Sequence, residues 1–374
     1  MVNFSKLRER MEESGLDALI TVDPRNSYYI AGYMDPEVWL RDMQDMTMYL
    51  PVVSFPDKSF VIGAQIDDRR FPGSSYFCEM VLDRRLEMLA EQLTARGLHQ
   101  SKLGIDMDYT PVNVLSRLRE LLPDATFIPA DILLYQMRSV KSPEELSYIK
   151  KAVEIAEGAF VDVKDTIRDG SLVADIMTGW GQAVIGRGGY PVAGLPFDFI
   201  TQSVMTVQEG FKKPGHYIDR LPSKLEAGCT TRFDLSICYK GYMSDQKVVV
   251  CVGEPAPEAV AIYEEHRDRQ EFMKNFIKPG MSKREVYAAC VRNFKHLDEY
   301  VFWIHGVGLD VHEEPRVGSL LPSAVDVKTE MTFEVGQTLA LEPSWLVEDL
   351  YVLNQDGFER LCRLPQQIMT LGSK

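Results

Sequence analysis

The stretch TTRFDLSICYKGYMSDQKVVVCV, residues 230–252, constrains the fold more than any other part of the chain. Phe233, Leu235 and Ile237 fall on one face of an extended strand, and Arg232, Asp234 and Ser236 fall on the other. Lys240-Gly241 supplies a two-residue turn, so the segment reads as a β-hairpin with one face that must be covered. The opposite face carries Asp234 and Asp245, eleven residues apart. Across an even-length loop, residues an odd distance apart can sit directly opposite, with Cβ atoms ~5 Å apart. Two carboxylates that close repel each other unless a proton or a cation lies between them. The alternative is that a strand slip or bulge separates them.

The rest of the chain supplies cover. FSKLRERMEESG reads as an amphipathic helix stopped at Gly15, DALITVD as a short strand, and YLPVVSFPDKSFVIG as two strands around a Pro-Asp turn. LEMLAEQLTARG is a helix closed by Gly97, KLGID a strand and PVNVLSRLRELLPD a helix, together an α/β domain. A strong helix start follows in MRSVKSPEELSYIKKAVEIAEGAF. Ser142 can cap it, Pro143 suits its first position, and Glu145 completes a capping box. Leu146, Ile149, Val153, Ala156 and Phe160 line one face, and a domain boundary is expected near Arg138. TIRDGSLVADI near 166–176 and FIKPGMSKREV near 276–286 echo each other: a helix end, a basic residue, Gly, then a second helix. Two such copies about 110 residues apart suggest two related halves around a shared core.

Composition narrows the function. A formal charge of −14 disfavours nucleic acid and anionic membrane, both of which call for Lys and Arg. The N-terminus has no apolar core of a signal peptide, and no apolar run approaches the ~18 residues of a membrane span. Cys78, Cys229, Cys238, Cys251, Cys290 and Cys362 form no CxxC pair and read as thiols in a reducing compartment, so a cytoplasmic protein is expected.

Two of the six histidines stand in WIHGVGLDVHEEP, with Gly306 and Gly308 after the first and an acidic pair after the second. Glu342 lies in an apolar strand, where an unpaired carboxylate is costly, and Glu348-Asp349 precede a second one, LYVL. Acidic residues at the ends of several strands, together with histidine, are what a divalent cation needs.

With these residues in view, the chain resembles the creatinase/aminopeptidase P/prolidase family, the "pita-bread" metallohydrolases. The resemblance rests on Asp234, GYMSD with Asp245, HGVGLDVHE with His305 and His312, LEP with Glu342 and VED with Glu348. MRSVKSPEEL is similar to the start of that family's catalytic domain, and DPRNSYYIAGY to its N-terminal domain. The resemblance implies an α/β N-terminal creatinase-like domain, residues 1–138, serving dimerisation and carrying a substrate-gating loop. It implies an α+β pita-bread catalytic domain over residues 139–374. Asp234, Asp245, His305, Glu342 and Glu348 would bind metal, two ions of Mn, Co, Fe or Zn with a metal-activated water as nucleophile. His216 and His312 would face substrate and transfer protons, and Glu342 would shuttle a proton. Trp39 and Arg41 would lie on a loop reaching the partner subunit of a homodimer. The implied activity is hydrolysis of a small C–N bond in Xaa-Pro dipeptides or short peptides.

The pattern is broken in places. Ser236 stands where the family has Gly, Lys247 and Val248 where it has Thr and Arg, and Leu346 where it has Arg. Asp349 and Glu359 compete with Glu348 as the last ligand. Lys247 and Arg232 share a strand face with Asp245 and Asp234 respectively. They either replace a metal ion, leaving one ion or none, or bind an anionic group of substrate, or are turned outward by a bulge. Two alternatives to the peptidase stay open: a non-peptidase member acting on creatine, a cyclic amidine such as ectoine, or a sulfonium lyase substrate; and a non-catalytic binding module. GRGGYP at 186–191 is expected to be a substrate loop or a simple turn, and His99, His266 and His296 to lie on the surface.

Overall fold

The computed structural model describes residues 2–32, 50–55, 59–63, 79–82, 85–191, 200–202, 224–294, 303–318, 331–344 and 346–372. They form two compact units, Met1–Arg138 and Ser139–Lys374. The first is built on a six-stranded mixed sheet in the order Glu79–Leu82, Phe60–Gly63, Leu50–Ser54, Ala18–Ile20, Lys102–Ile105, Thr126–Pro129. Leu89 and Leu93 of helix Leu86–Ala95 and Val114 and Leu118 of helix Val112–Leu121 pack with Ile20, Val52, Phe60, Leu103 and Ile105 into one apolar cluster. Asp106, at the end of the strand Lys102–Ile105, accepts hydrogen bonds from Val22 N at 2.8 Å, Asp23 N at 3.0 Å and Asn26 Nδ2 at 3.0 Å. This carboxylate anchors the start of helix Pro24–Ala31 to the sheet. The unit ends at Arg138, inside helix Asp131–Ser139.

The second unit opens with the helix Pro143–Lys164. Its capping box is complete: Glu145 N donates to Ser142 Oγ and Ser142 N to Glu145 Oε2, with Pro143 in the first turn. Ile149, Val153, Ala156 and Phe160 are buried. A second capping box, Ser282 with Glu285, opens helix Lys283–Asn293. The two echoed segments adopt the same course. Helix Pro143–Lys164 passes through Gly170 (φ 74°) into helix Val173–Gly186, and helix Pro257–Phe276 through Gly280 (φ 89°) into helix Lys283–Asn293. Each helix pair covers one sheet. The first lies over Phe233, Leu235, Val248 and Val250, and the second over Trp303, Ile304, Leu339, Leu341 and Leu353. The covered sheets run in the orders Met369–Leu371, Lys247–Val252, Thr230–Asp234, Ile200–Gln202 and Glu313–Val317, Ile304–Gly306, Thr338–Leu341, Asp349–Asn354, Gly357–Arg360.

The hairpin turns at Lys240 (φ 49°) and Gly241 (φ 84°), both left-handed, as a two-residue turn matched to the strand twist requires. Such a turn sets the register outward from itself: Tyr239 pairs Tyr242, Cys238 pairs Met243, and Lys247 pairs Asp234. Asp234 and Asp245 therefore share a face as diagonal neighbours, not as the directly opposed pair expected from their spacing. The residue opposite Asp234 is Lys247. A further expectation fails at His266, which is 4% exposed and not a surface residue, because helix Pro257–Phe276 is covered there. His296 lies outside the described residues; His99 is half-buried. GRGGYP is the turn after helix Val173–Gly186, with Gly188 left-handed. Among the described residues no helix is long and apolar enough to cross a membrane.

Candidate metal centre

Backbone hydrogen bonds bring the distant site segments together. Lys247 N donates to Glu348 O at 3.0 Å, Met243 N to Gly308 O at 2.7 Å, and Glu342 N to Trp303 O at 2.8 Å. His305 pairs in register with Ala340. The glycines between the two histidines are needed for close approach, not for a left-handed backbone. A Cβ on Gly306 would lie 2.5 Å from the Glu314 carbonyl oxygen, and one on Gly308 2.5 Å from Glu313 Oε2.

These contacts place Asp234, Asp245, His305, Glu342 and Glu348 around one point. His305 Nε2 lies 3.2 Å from Glu348 Oε1, 3.7 Å from Glu342 Oε2 and 3.8 Å from Asp245 Oδ2. The Ser236 hydroxyl reaches Asp245 Oδ1 at 2.8 Å and Asp234 Oδ1 at 3.2 Å. Its contact with both aspartates has no counterpart in the residue roles read from the sequence, although the Gly-to-Ser departure marked the position. The exposed ring of His312 stands edge-to-face on His305, with ring centres 4.6 Å apart.

The three acids considered for the last position lie in different surroundings. Glu348 is 2% exposed and faces the cluster. Asp349 faces the other way, onto Arg267 at 3.1 Å and Arg360. Glu359 pairs with Lys150 at 2.9 Å on the surface. The acidic pair after His312 is likewise taken up: Glu313 by Lys141 at 2.9 Å and Glu314 by Lys283 at 2.8 Å, all four side chains buried. Each lysine flanks the serine of a capping box, so the two helix starts clamp the strand that follows His312. Val248 packs in the apolar core, and Leu346 packs with Val249, Tyr263 and Val347. His216, Trp39 and Arg41 lie outside the described residues.

Lys247 points into the cluster; no bulge turns it outward. Its ammonium is in direct contact with Glu342, 2.7 Å from Glu348 Oε2 and 3.9 Å from Asp234 Oδ2, and its side chain is 3% exposed. Its ammonium meets carboxylates of the cluster. Arg232 lies two positions from Asp234 on the same strand face and is 4% exposed.

The charges are strongly coupled. Burial raises Asp234 to about 6, reinforced by Glu348 and Glu342 and opposed by Lys247 and Arg232. Burial, then Glu348 and Asp234, pushes Asp245 well above the usual carboxylate range. Burial disfavours charge on Glu348 too, but Lys247 and His305 outweigh it and hold it down to about 2. His305 rises to about 10 because the Glu342 and Glu348 carboxylates overcome its desolvation. A site that gathers this much negative charge is asking for cations.

Four carboxylates and one imidazole suit a hard-to-borderline divalent ion. Among the described residues, three ligand triplets have their donor atoms within 4.8 Å of one another: Asp234–Asp245–Glu348, His305–Glu342–Glu348 and Asp245–His305–His312. Two of them include a carboxylate in contact with Lys247. A dication about 4 Å from an ammonium is opposed by roughly 8 kcal/mol at an effective dielectric of about 20.

The comparisons agree with this architecture. Residues 147–364 match the profile of metallopeptidase family M24, and residues 4–140 match the creatinase/prolidase N-terminal domain. The chain is 22% identical to the Xaa-Pro dipeptidase of Pyrococcus furiosus over 98% of this chain and 99% of that one. It is 24% identical to the Xaa-Pro dipeptidase of Lactobacillus delbrueckii subsp. lactis over the whole of both. Its fold matches the crystal structure of an X-Pro aminopeptidase from Thermotoga maritima with a TM-score of 0.76 at 20% identity, covering 99% and 100% of the two chains. It also matches a Xaa-Pro dipeptidase from Bacillus anthracis with a TM-score of 0.76 at 22% identity, covering 98% of each. With a candidate centre for a divalent ion in its second unit and matches spanning both, the chain belongs to metallopeptidase family M24 and carries a creatinase/prolidase N-terminal domain.

Proposed function

We propose that the protein is a metal-dependent hydrolase of a small C–N bond, with Xaa-Pro dipeptides or short peptides as substrates. The observation that carries this is the convergence of Asp234, Asp245, His305, Glu342 and Glu348, from four separate segments, on one buried point. A divalent ion held there supplies a Lewis acid that polarises the scissile carbonyl and acidifies a water. The chain's own residues do the rest. Asp245 and His305 orient the centre, and burial keeps bulk water from competing for their donor atoms. Glu342, the most accessible carboxylate of the set after Asp234, accepts the proton released at the water and returns it to the leaving nitrogen. His312, exposed beside His305, positions the substrate and stabilises developing charge on its carbonyl oxygen. A homodimer, a cytoplasmic location and a gating role for the N-terminal unit belong to the same proposal. The free thiols of Cys229, Cys238, Cys251, Cys290 and Cys362 support a reducing compartment.

The test is proline release from a panel of Xaa-Pro dipeptides after loading with Mn or Co. Cleavage is expected, and its loss in H305A. Metal-loaded protein that cleaves none of the panel overturns the peptidase reading. A second reading, a non-peptidase small-molecule hydrolase or lyase, is favoured by Lys247 inside the cluster and by Val248 and Leu346 in apolar packing. Turnover of a small amidine or sulfonium compound by protein inert towards peptides would establish it.

A further inference from the structure

The direct contacts of Lys247 carry an inference about the number of ions, which rests on the hydrolase reading and sharpens it. We infer that the Lys247 ammonium stands in for one of two metal ions, so that the centre takes a single divalent ion on the Asp245–His305 side, away from the ammonium. The register makes Lys247 the cross-strand partner of Asp234, so a two-residue turn at Lys240-Gly241 delivers it to the cluster without any strand distortion. There it touches Glu342 and Glu348 and approaches Asp234. Those three carboxylates are the ones a second ion would have to share. Of the three ligand triplets among the described residues, Asp245–His305–His312 is the one whose members make no ion pair with Lys247.

Two neighbouring features act in the same direction. Ser236 places a hydroxyl against both Asp234 and Asp245 and competes for their lone pairs. Arg232 adds a second buried cation on the strand face of Asp234. The charge closes with one dication: four carboxylates are balanced by the Lys247 ammonium, the Arg232 guanidinium and one divalent ion. Two dications together with the lysine would leave the buried site positive.

The experiment counts ions in the full-length protein. Chelator-stripped protein is dialysed against Mn²⁺ and analysed by elemental analysis and by Mn²⁺ electron paramagnetic resonance. Wild type is expected to hold one ion per chain with an uncoupled Mn²⁺ spectrum. K247T is expected to hold two, with the exchange-coupled signal of a Mn pair, and K247R to stay at one. Two coupled ions in wild type, or none, overturn the inference. So does K247T that remains folded by circular dichroism and still takes one. The spectrum of the wild type decides the matter even where K247T does not fold. A count of one in protein that cleaves no peptide would sink the peptidase reading and leave this inference standing.

Discussion

Replacing Lys141 by Met tests the clamp beneath the candidate centre. Lys141 Nζ lies 2.9 Å from Glu313 Oε2, and their side chains are 1% and 5% exposed. The other Glu313 oxygen accepts a hydrogen bond from Leu309 N at 2.9 Å, which shapes the loop leading to His312. K141M takes the ammonium away from a buried carboxylate. Removing one partner of such a pair costs about 3–5 kcal/mol. For a unit of this size each kcal/mol moves Tm by about 2–4 °C, so a fall of roughly 6–20 °C is expected. The assay is guanidinium unfolding followed by the fluorescence of buried Trp180 and Trp303, run as a double-mutant cycle with E313Q. The neutral amide oxygen can still accept from Leu309 N, so K141M/E313Q is expected to be more stable than K141M alone. A K141M loss below about 1 kcal/mol, or strict additivity of the two substitutions, would refute the reasoning.

Strand alternation separates the two adjacent acids. E348Q is expected to lower metal affinity about tenfold with the fold intact, by removing a charge 3.2 Å from His305 Nε2, whereas D349N should leave the ion count unchanged and lower stability through Arg267 and Arg360; equal effects on metal binding would contradict this. G306A puts a methyl 2.5 Å from the Glu314 carbonyl oxygen, so the strand carrying His305 must move. A loss of about 1–3 kcal/mol together with weakened Mn²⁺ binding is expected, and unchanged binding by calorimetry would argue against the close approach. Burial, with Arg269 adding to it, lowers His266 from 6.5 to about 4. Its neutral form therefore supports the fold above pH 6.5, and that support is lost as pH falls from 6.5 through about 4, by at most about 3 kcal/mol. Urea unfolding of wild type and H266Q across that window should show a shallower acid loss in the variant, and parallel curves would exclude the mechanism.

Much of the architecture could be read from short-range chemistry. Ser142 with Glu145, Ser282 with Glu285, and Gly15 and Gly97 at helix ends each act within a few residues, so the chain itself announces those helices. The turn at Lys240-Gly241 even contained the hairpin register. Counting outward from it pairs Asp234 with Lys247, whereas the parity of the Asp234–Asp245 spacing alone suggested direct opposition. The site was legible as residue types on particular strands, because alternation tells which side chains share a face.

Only tertiary structure separates the surroundings of Glu348, Asp349 and Glu359, since a partner such as Arg267 or Lys150 comes from a helix distant in sequence. It also decided where the Lys247 ammonium goes. Local pattern places that side chain on the acidic face, but whether it meets carboxylates or solvent depends on Glu342 and Glu348, about a hundred residues away. Long-range convergence of charge is a property of how packed sheets meet, and no window of sequence contains it.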